Sequence, residues 1–501
     1  MSPIRKLAGQ TVVYGFSSIL GRFLNYLLVP LYTYSFPAQA YGVVSEFYAY
    51  AGFLAVLLGL GLETAYFRYR NREGVKDGEA YAAAMTLLIP GNLLFLSLVI
   101  AYREAIASAL QYPLHPEYGV WFALILCIDS LCSLPFARLR AEERALRFAA
   151  VKLSEILITI ALNLLLILGP PLAEAHWPGL LPWASTPGIE AIFLANLIGS
   201  ASKLVLLAPE FLRMGRLSGL RLVRPMVSYG LPMVVIGFAG MINEMLDRAV
   251  LKYLLPWDLE TNLRQLGIYG ACYKLSILMT LFVQAFRYAG EPFFFSYAHR
   301  EDAKATYARV MRYFVIGCSG IYLIVVLFLH RFQYFIGAEY REGLEVVPIL
   351  LMANLLLGIY INLSIWYKLT DRTGMGAWVS MLGALVTLVL NAVWVPRFGY
   401  LGSAWATLAC YGFMVMVSGA LGRHYYPIPY PWIRISAYLL LVLGLSRLER
   451  PLMDAWVMGA DTAGALLLAV FAVPVFVLEL LPLLRRKKRK KTVSIQRAPR
   501  R

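Results

Sequence analysis

Charge is scarce in this chain, and acid is the scarcer sign. Only 15% of the 501 residues are charged, and 29 acids face 46 bases, for a net charge of +17. Groups that do catalysis are thin as well. The five histidines, His115, His176, His299, His330 and His424, lie near loops or the ends of apolar runs, far from one another. No glycine-rich Walker loop is present, so the chain is not expected to hydrolyse ATP. The five cysteines (Cys127, Cys132, Cys272, Cys318, Cys410) all fall inside apolar runs. Cys127 and Cys132 lack further Cys or His partners, which excludes ordinary metal-ligand spacing and a disulfide framework. They read as small apolar packing residues. No catalytic constellation, resident cofactor or metal site is expected.

What the chain has is hydrocarbon. It is 60% hydrophobic, with a mean hydropathy of +0.65. A bilayer core takes about 20 apolar residues per helical crossing, and backbone amides in lipid must bond within their own segment. The runs that meet this length predict about fourteen transmembrane helices, near 8–34, 41–67, 80–101, 117–137, 148–170, 188–210, 225–250, 267–297, 309–330, 344–367, 376–395, 402–422, 433–448 and 459–483. The fold class expected is an all-α polytopic membrane protein. Arg5 and Lys6 precede the first run, which is too long for a signal-peptide core and lacks a small-residue cleavage site. It reads as a retained helix.

Lys and Arg accumulate in every second connection, from Arg68 to Lys76, Arg138 to Lys152, Arg213 to Arg224 and Arg300 to Arg312, and again in the tail RRKKRKK (Arg485 to Lys491). The positive-inside rule then places both termini in the cytoplasm. The tail follows a span directly, so it reads as a topology anchor on anionic headgroups rather than a nucleic-acid site.

The basic, amphipathic stretch FLRMGRLSGLRLVR (211–224) divides the chain. The expected organisation is a six-helix lobe at 1–210, this linker along the inner surface, a second six-helix lobe at 225–424, an extra helix pair at 425–484 and a basic tail at 485–501. Six is an even number of crossings, so the second lobe enters from the same side as the first. A pseudo-two-fold along the membrane normal is therefore expected, with substrate held between lobes.

Ionisable groups inside spans are costly, at least ~2.5–3.5 kcal/mol each on insertion scales. Glu155 and Lys203 sit at equal depth on neighbouring spans and read as a structural pair. Glu244 with Arg248, and Arg287 with Glu291, are i, i+4 and read as local neutralisation. Arg22, Lys274 and Asp129 have no sequence-local partner. Arg22 stays charged, and its fork suits phosphate oxygens. The bland alternative is an ion pair of Arg22 with Glu46 or Asp129. Asn25, one turn beyond Arg22, joins the polar mid-span residues that either bond between helices or line a cavity.

The run GRFLNYLLVPLYTYSFPAQAYGVVSEFYAYAGFLAVLLGLGLETAYFRY (Gly21 to Tyr69) resembles the opening helix pair of bacterial polysaccharide transporters. These are Wzx-type flippases of the multidrug/oligosaccharidyl-lipid/polysaccharide (MOP) exporter superfamily. The pattern is an Arg in helix 1, a Pro before the first outer loop, a Tyr-Gly entering helix 2, and an acid with aromatics at its inner end. Here these are Arg22, Pro30, Tyr41-Gly42, and Glu63 with Tyr66 and Phe67. The second half opens similarly, with Asp247-Arg248 ahead of Gly267 to Tyr269, although the segment between them is longer than the pattern has.

The resemblance implies a flippase that carries undecaprenyl-pyrophosphate-linked oligosaccharide from inner to outer leaflet of the bacterial cytoplasmic membrane, for surface polysaccharide or O-antigen synthesis. It implies alternating access driven by an ion gradient. Carried onto this chain, the substrate cations are Arg22 and then Lys274, Arg287 and Arg248, with Asn25 beside them. Asp129, Glu46 and Asp247 are the candidates for coupling H+ or Na+. The partners implied are the lipid-linked oligosaccharide, membrane lipids, and polysaccharide polymerase or chain-length machinery. Three rivals remain. A drug or cation antiporter of the same superfamily would need an acid-rich cavity. A cell-wall precursor flippase is a close variant. A membrane enzyme such as a glycan polymerase would need a large outer loop carrying catalytic groups.

Overall fold

A computed structural model describes residues 19–76, 78–176, 188–212, 220–456 and 459–480. The described residues are helical or in short connections, with no strand among them. The basic tail and half of the 211–224 stretch (213–219) lie outside the described residues. Nine of the described helices are long and apolar enough to cross a membrane, ten if one broken pair counts as a single span.

The helices follow the expected order. They are α1 (Leu28–Ser35), α2 (Ala38–Gly59), α3 (Leu62–Arg70), α4 (Glu79–Ala101), α5 (Arg103–Ala109), α6 (Pro116–Ala141), α7 (Ala145–His176), α8 (Glu190–Leu206), α9 (Ala208–Leu212), α10 (Leu220–Leu254) and α11 (Leu259–Leu275). Then come α12 (Ile277–Tyr297), α13 (Ala303–Leu327), α14 (Leu329–Phe332), α15 (Val346–Leu363), α16 (Ile365–Leu369), α17 (Thr373–Tyr425), α18 (Trp432–Trp456) and α19 (Ala460–Val475). Large apolar side chains stay exposed on many of them, including Leu93, Leu94 and Leu98 of α4 and Leu164 and Leu165 of α7. Such rows have no place in water and suit lipid.

Two boundaries depart from the sequence expectation, at α10 and at the thirteenth helix, whereas 376–395 and 402–422 are two helices as expected, meeting at a kink within α17 at Gly399 (φ 61°, ψ −147°). That backbone state is open to glycine and to almost no other residue. Helix α10 begins at 220, so Arg221 and Arg224 belong to its first turns rather than to a surface linker. There, Arg221 donates Nε to Glu79 Oε1 at 2.7 Å and Nη2 to Glu79 Oε2 at 2.9 Å. The thirteenth helix, expected to be short, runs from Trp432 to Trp456.

The chain forms two compact units. The first holds 1–274, 336–344 and 373–414; the second holds 275–335, 345–372 and 415–501. This partition follows contact density, and the lobes at 1–210 and 225–424 remain an expectation. Within the first unit, α2 and α10 run antiparallel in a glycine-lined seam. A Cβ on Gly52 would meet Met241 Sδ at 2.9 Å, one on Gly237 would meet Val56 Cγ1 at 2.9 Å, and one on Gly61 would meet Gly230 O at 2.6 Å. Gly42 of α2 and Gly267 of α11 are tighter still, with carbonyl oxygens 2.0 and 1.9 Å from where a Cβ would stand. Small residues let membrane helices approach this closely and gain dispersion without a hydrophobic driving force.

In the second unit, the final helix pair is tied to α13 by a buried acid. Glu479 accepts from Arg312 at 3.1 Å and from Tyr438 at 3.2 Å. This contact was not anticipated, because Glu479 lies near the end of the last apolar run.

Candidate functional site

Three sites within the first unit hold most of the charged groups expected to matter. The first centres on Glu46, one turn before Tyr50 on α2. Both residues of the ion pair Glu46–Lys252 have side chains that are 0% exposed, at 2.8 Å. Glu46 Oε1 accepts from the Tyr50 hydroxyl at 2.5 Å, and Oε2 accepts a short bond from the Tyr112 hydroxyl. Lys252 Nζ also donates to Leu110 O at 2.8 Å and lies 4.3 Å from the centre of the Tyr112 ring. Burial first, and then the neighbouring Glu46 carboxylate, push the Tyr112 hydroxyl well above its ordinary pKa, so it stays a donor. Glu46 therefore has a full set of partners. Its cation is Lys252, not Arg22. Sequence reading missed Lys252 because it lies beyond the expected end of its span.

The second site is a three-charge cluster. Lys203 Nζ donates to Glu155 Oε1 at 2.7 Å, which is the pair expected from their equal depth, and to Asp129 Oδ1 at 2.6 Å. Ser200 Oγ donates to the same Asp129 oxygen at 2.7 Å. Asp129 thus has a partner after all, three helices being needed to assemble it: α6, α7 and α8. The lysine side chain is 4% exposed, whereas that of Asp129 is 45% exposed. Glu155 Oε2 has no hydrogen bond, and Lys152 Nζ stands 3.6 Å away.

The third site gathers Asp247, Arg248 and two phenols. Asp247 Oδ2 accepts from the Tyr269 hydroxyl at 2.6 Å, and Oδ1 accepts from the Arg248 amide at 2.8 Å and from Arg248 Nε at 3.3 Å. The guanidinium carbon lies 4.1 Å from the centre of the Tyr273 ring. The expected i, i+4 pair of Glu244 with Arg248 is corrected here. Arg248 Nη2 takes the Glu244 backbone oxygen at 2.5 Å, and the Glu244 side chain is exposed. The guanidinium instead reaches Asp247 and stacks on Tyr273. Lys274, half-buried and next in sequence to Tyr273, makes no ion pair among the described residues.

Arg22 and Asn25 occupy one exposed side of the segment that precedes α1 and make no hydrogen bond or ion pair among the described residues. The adjacent Gly21 is buried and faces α7, where an added Cβ would stand 2.6 Å from Ile156 Cδ1. Arg287 belongs to the second unit. It keeps its expected partner Glu291 at 3.5 Å, and Lys368 Nζ adds a bond to the same carboxylate at 2.5 Å. No group of three or more His, Cys, Asp or Glu among the described residues is placed to hold a metal.

Beside the Glu46 site lies a cavity of about 470 Å³, lined by Phe47, Tyr50, Phe53, Phe95, Phe122 and Tyr253 with smaller apolar neighbours. Its wall is almost wholly hydrocarbon and aromatic.

The model of a family described as "Polysaccharide biosynthesis protein" matches residues 7–297. The chain belongs to that family. This family member is 22% identical over 426 residues to "Probable low-salt glycan biosynthesis flippase Agl15" of Haloferax volcanii, covering 84% of this chain and 83% of the relative. Its fold is shared with solved structures. A lipid II flippase, MurJ, in an inward closed conformation superposes with a TM-score of 0.64 at 14% identity, over 94% of this chain and 99% of the other. An inward-facing multidrug resistance MATE transporter of the MOP superfamily superposes with a TM-score of 0.62 at 13% identity, over 85% and 95%. At these identities the likeness is one of fold, an all-α bundle shared with these two transporters.

Proposed function

We propose that this protein is a flippase for a lipid-linked oligosaccharide. In its specific form, the substrate is undecaprenyl-pyrophosphate-linked and crosses from the inner to the outer leaflet of the bacterial cytoplasmic membrane, for surface polysaccharide or O-antigen synthesis. Both termini are cytoplasmic in this reading, and the polymerase or chain-length machinery receives the product. The chain acts as a transporter, not an enzyme. Family membership and the glycan flippase of Haloferax volcanii support the substrate class.

The observation that carries the reading is the distribution of unpaired charge. Arg22 and Lys274 lack carboxylate partners among the described residues, while Glu46, Glu155 and Asp247 are each committed to a base. The surplus is positive, which suits a pyrophosphate. It disfavours an antiporter of cationic drugs, which needs spare acid. The apolar cavity by Phe47 and Tyr253 suits a polyprenyl chain.

Arg22 holds phosphate with Asn25 and Lys274 in support, and Arg248 and Arg287 have lesser roles because each already has an acid beside it. Asp129 is the best-placed group for H+ or Na+, being half-open and sharing one lysine with Glu155. Alternating access then exposes this constellation to each side in turn.

The decisive experiment replaces Arg22→Ala in the native host. Surface glycan should be lost, lipid-linked precursor should accumulate, and the protein should stay at its normal level in the membrane. Normal glycan export by that variant refutes the assignment.

A further inference from the structure

The second unit contains a pocket that the transport reading does not use. The segment joining α17 to α18 reads Tyr426-Pro427-Ile428-Pro429-Tyr430-Pro431. Alternate prolines fix φ and remove amide donors, so the segment stays extended and has few backbone groups to satisfy. It folds against the ends of α15 and α17 and encloses about 260 Å³. Trp366, Tyr426, Tyr430 and Trp432 wall this space. Two glycines of α17 let the rings close in. A Cβ on Gly422 would stand 2.9 Å from Trp366 Cδ1, and one on Gly419 would meet the Trp432 ring at 3.6 Å. Trp366 is held in place by its Nε1 bond to Ser418 Oγ at 3.4 Å and by stacking on Tyr425, 13° from parallel.

The charge around the pocket has one sign. Arg423 lines it, is exposed, and has no ion pair among the described residues. Lys304 Nζ lies 4.5 Å from the centre of the Tyr426 ring, and the Arg372 guanidinium lies 4.2 Å from that of Tyr425. No carboxylate lines the cavity. Next to Trp432, the side chain of Ile433 is 89% exposed and offers an apolar path away from the pocket. Aromatic rings set among bases at the end of apolar helices are the usual furniture of a headgroup layer.

We infer that this pocket binds the phosphodiester headgroup of an anionic phospholipid, with its acyl chains running out past Ile433 into the bilayer. Arg423 bonds the phosphate, Lys304 and Arg372 supply long-range attraction, and the tryptophan and tyrosine faces cover the glycerol. Charge complementarity chooses this occupant over a zwitterionic lipid, whose cationic group would meet three bases and no acid. The lipid here is a resident of the protein and not its cargo.

The test is native mass spectrometry of the purified full-length protein in detergent, titrated separately with phosphatidylglycerol, phosphatidylcholine and glycerol phosphate. Wild type should bind one phosphatidylglycerol at least about tenfold more tightly than phosphatidylcholine. Arg423→Gln should remove about tenfold of that affinity, close to 1.4 kcal/mol. Arg450→Gln, an exposed base at the far end of α18, should leave it unchanged. Gly419→Leu keeps every charge but fills the cavity, so it should abolish the same binding even if Arg423→Gln folds poorly. Equal affinity for the two lipids, or unchanged affinity in both pocket variants, overturns the proposal. So does displacement of the lipid by equimolar glycerol phosphate, which would make the ligand a soluble phosphate. None of these readouts depends on glycan export.

Discussion

Glu46 and Asp129 are both carboxylates set among apolar helices of the first unit, and their surroundings differ in two respects. Glu46 faces one base and two phenolic donors and is sealed from solvent. Asp129 shares one ammonium with a second carboxylate, and nearly half of its side chain is open. The first site is balanced, so any change of protonation strands a buried charge. The second holds two acids and two bases, with Lys152 3.6 Å from Glu155, but Asp129 is open enough for a cation to reach it. A charge inside a membrane protein is thus assigned by its partners and its access rather than by depth alone.

That contrast can be broken most sharply at Lys252. Lys252→Ala strands Glu46 and should cost about 3–5 kcal/mol, the usual penalty for removing one member of a buried pair. The unfolding midpoint of the purified protein measures it. The double variant Glu46→Met, Lys252→Met should recover most of the loss. A double variant as unstable as the single would assign the effect to packing rather than charge.

Asp129→Asn should have the reverse profile. Lys203 keeps Glu155, so stability should fall by about 1 kcal/mol or less, in keeping with a half-exposed pair. Glycan export should nevertheless stop, because the one accessible carboxylate of the cluster is gone. Unchanged export in cells with normal protein levels would remove Asp129 from ion coupling. Ser200→Ala should have the smallest effect, about 0.5 kcal/mol for one hydrogen bond to a group partly open to water. Export should be slowed but kept. Export lost as completely as in Asp129→Asn would make the serine a ligand rather than a support.

Much of the architecture was legible before any coordinates, because lipid imposes a length. Runs of about 20 apolar residues must be helices, and the order of helices follows. The pairing of Glu155 with Lys203 was legible for a related reason: equal distance from the same membrane edge puts two residues at one depth. The reading of the cysteines as packing also holds, since all five are free and buried.

What was hidden depended on how helices end. Lys252 resembled an outer-loop base because its span was expected to stop at 250, yet α10 continues to Leu254 and carries the ammonium inward. Its signal was present in Glu46, a buried acid that needed a base. The break between 395 and 402 was legible, but its form was not: it is a kink at one positive-φ glycine, which has no periodicity to give it away. The third helix needed for the Asp129 cluster was equally invisible, because no local spacing relates Asp129 to Ser200 and Lys203.

Bare backbone along α2 and α10 makes their junction a low-friction one. Interlocked side chains would have to climb over each other if one rod rolled against its neighbour. Where Gly61 meets Gly230, main chain lies on main chain, whereas Gly52 and Gly237 admit the side chains of Met241 and Val56. Rolling is therefore least obstructed where Gly61 faces Gly230, away from the Glu46–Lys252 weld at the other extremity.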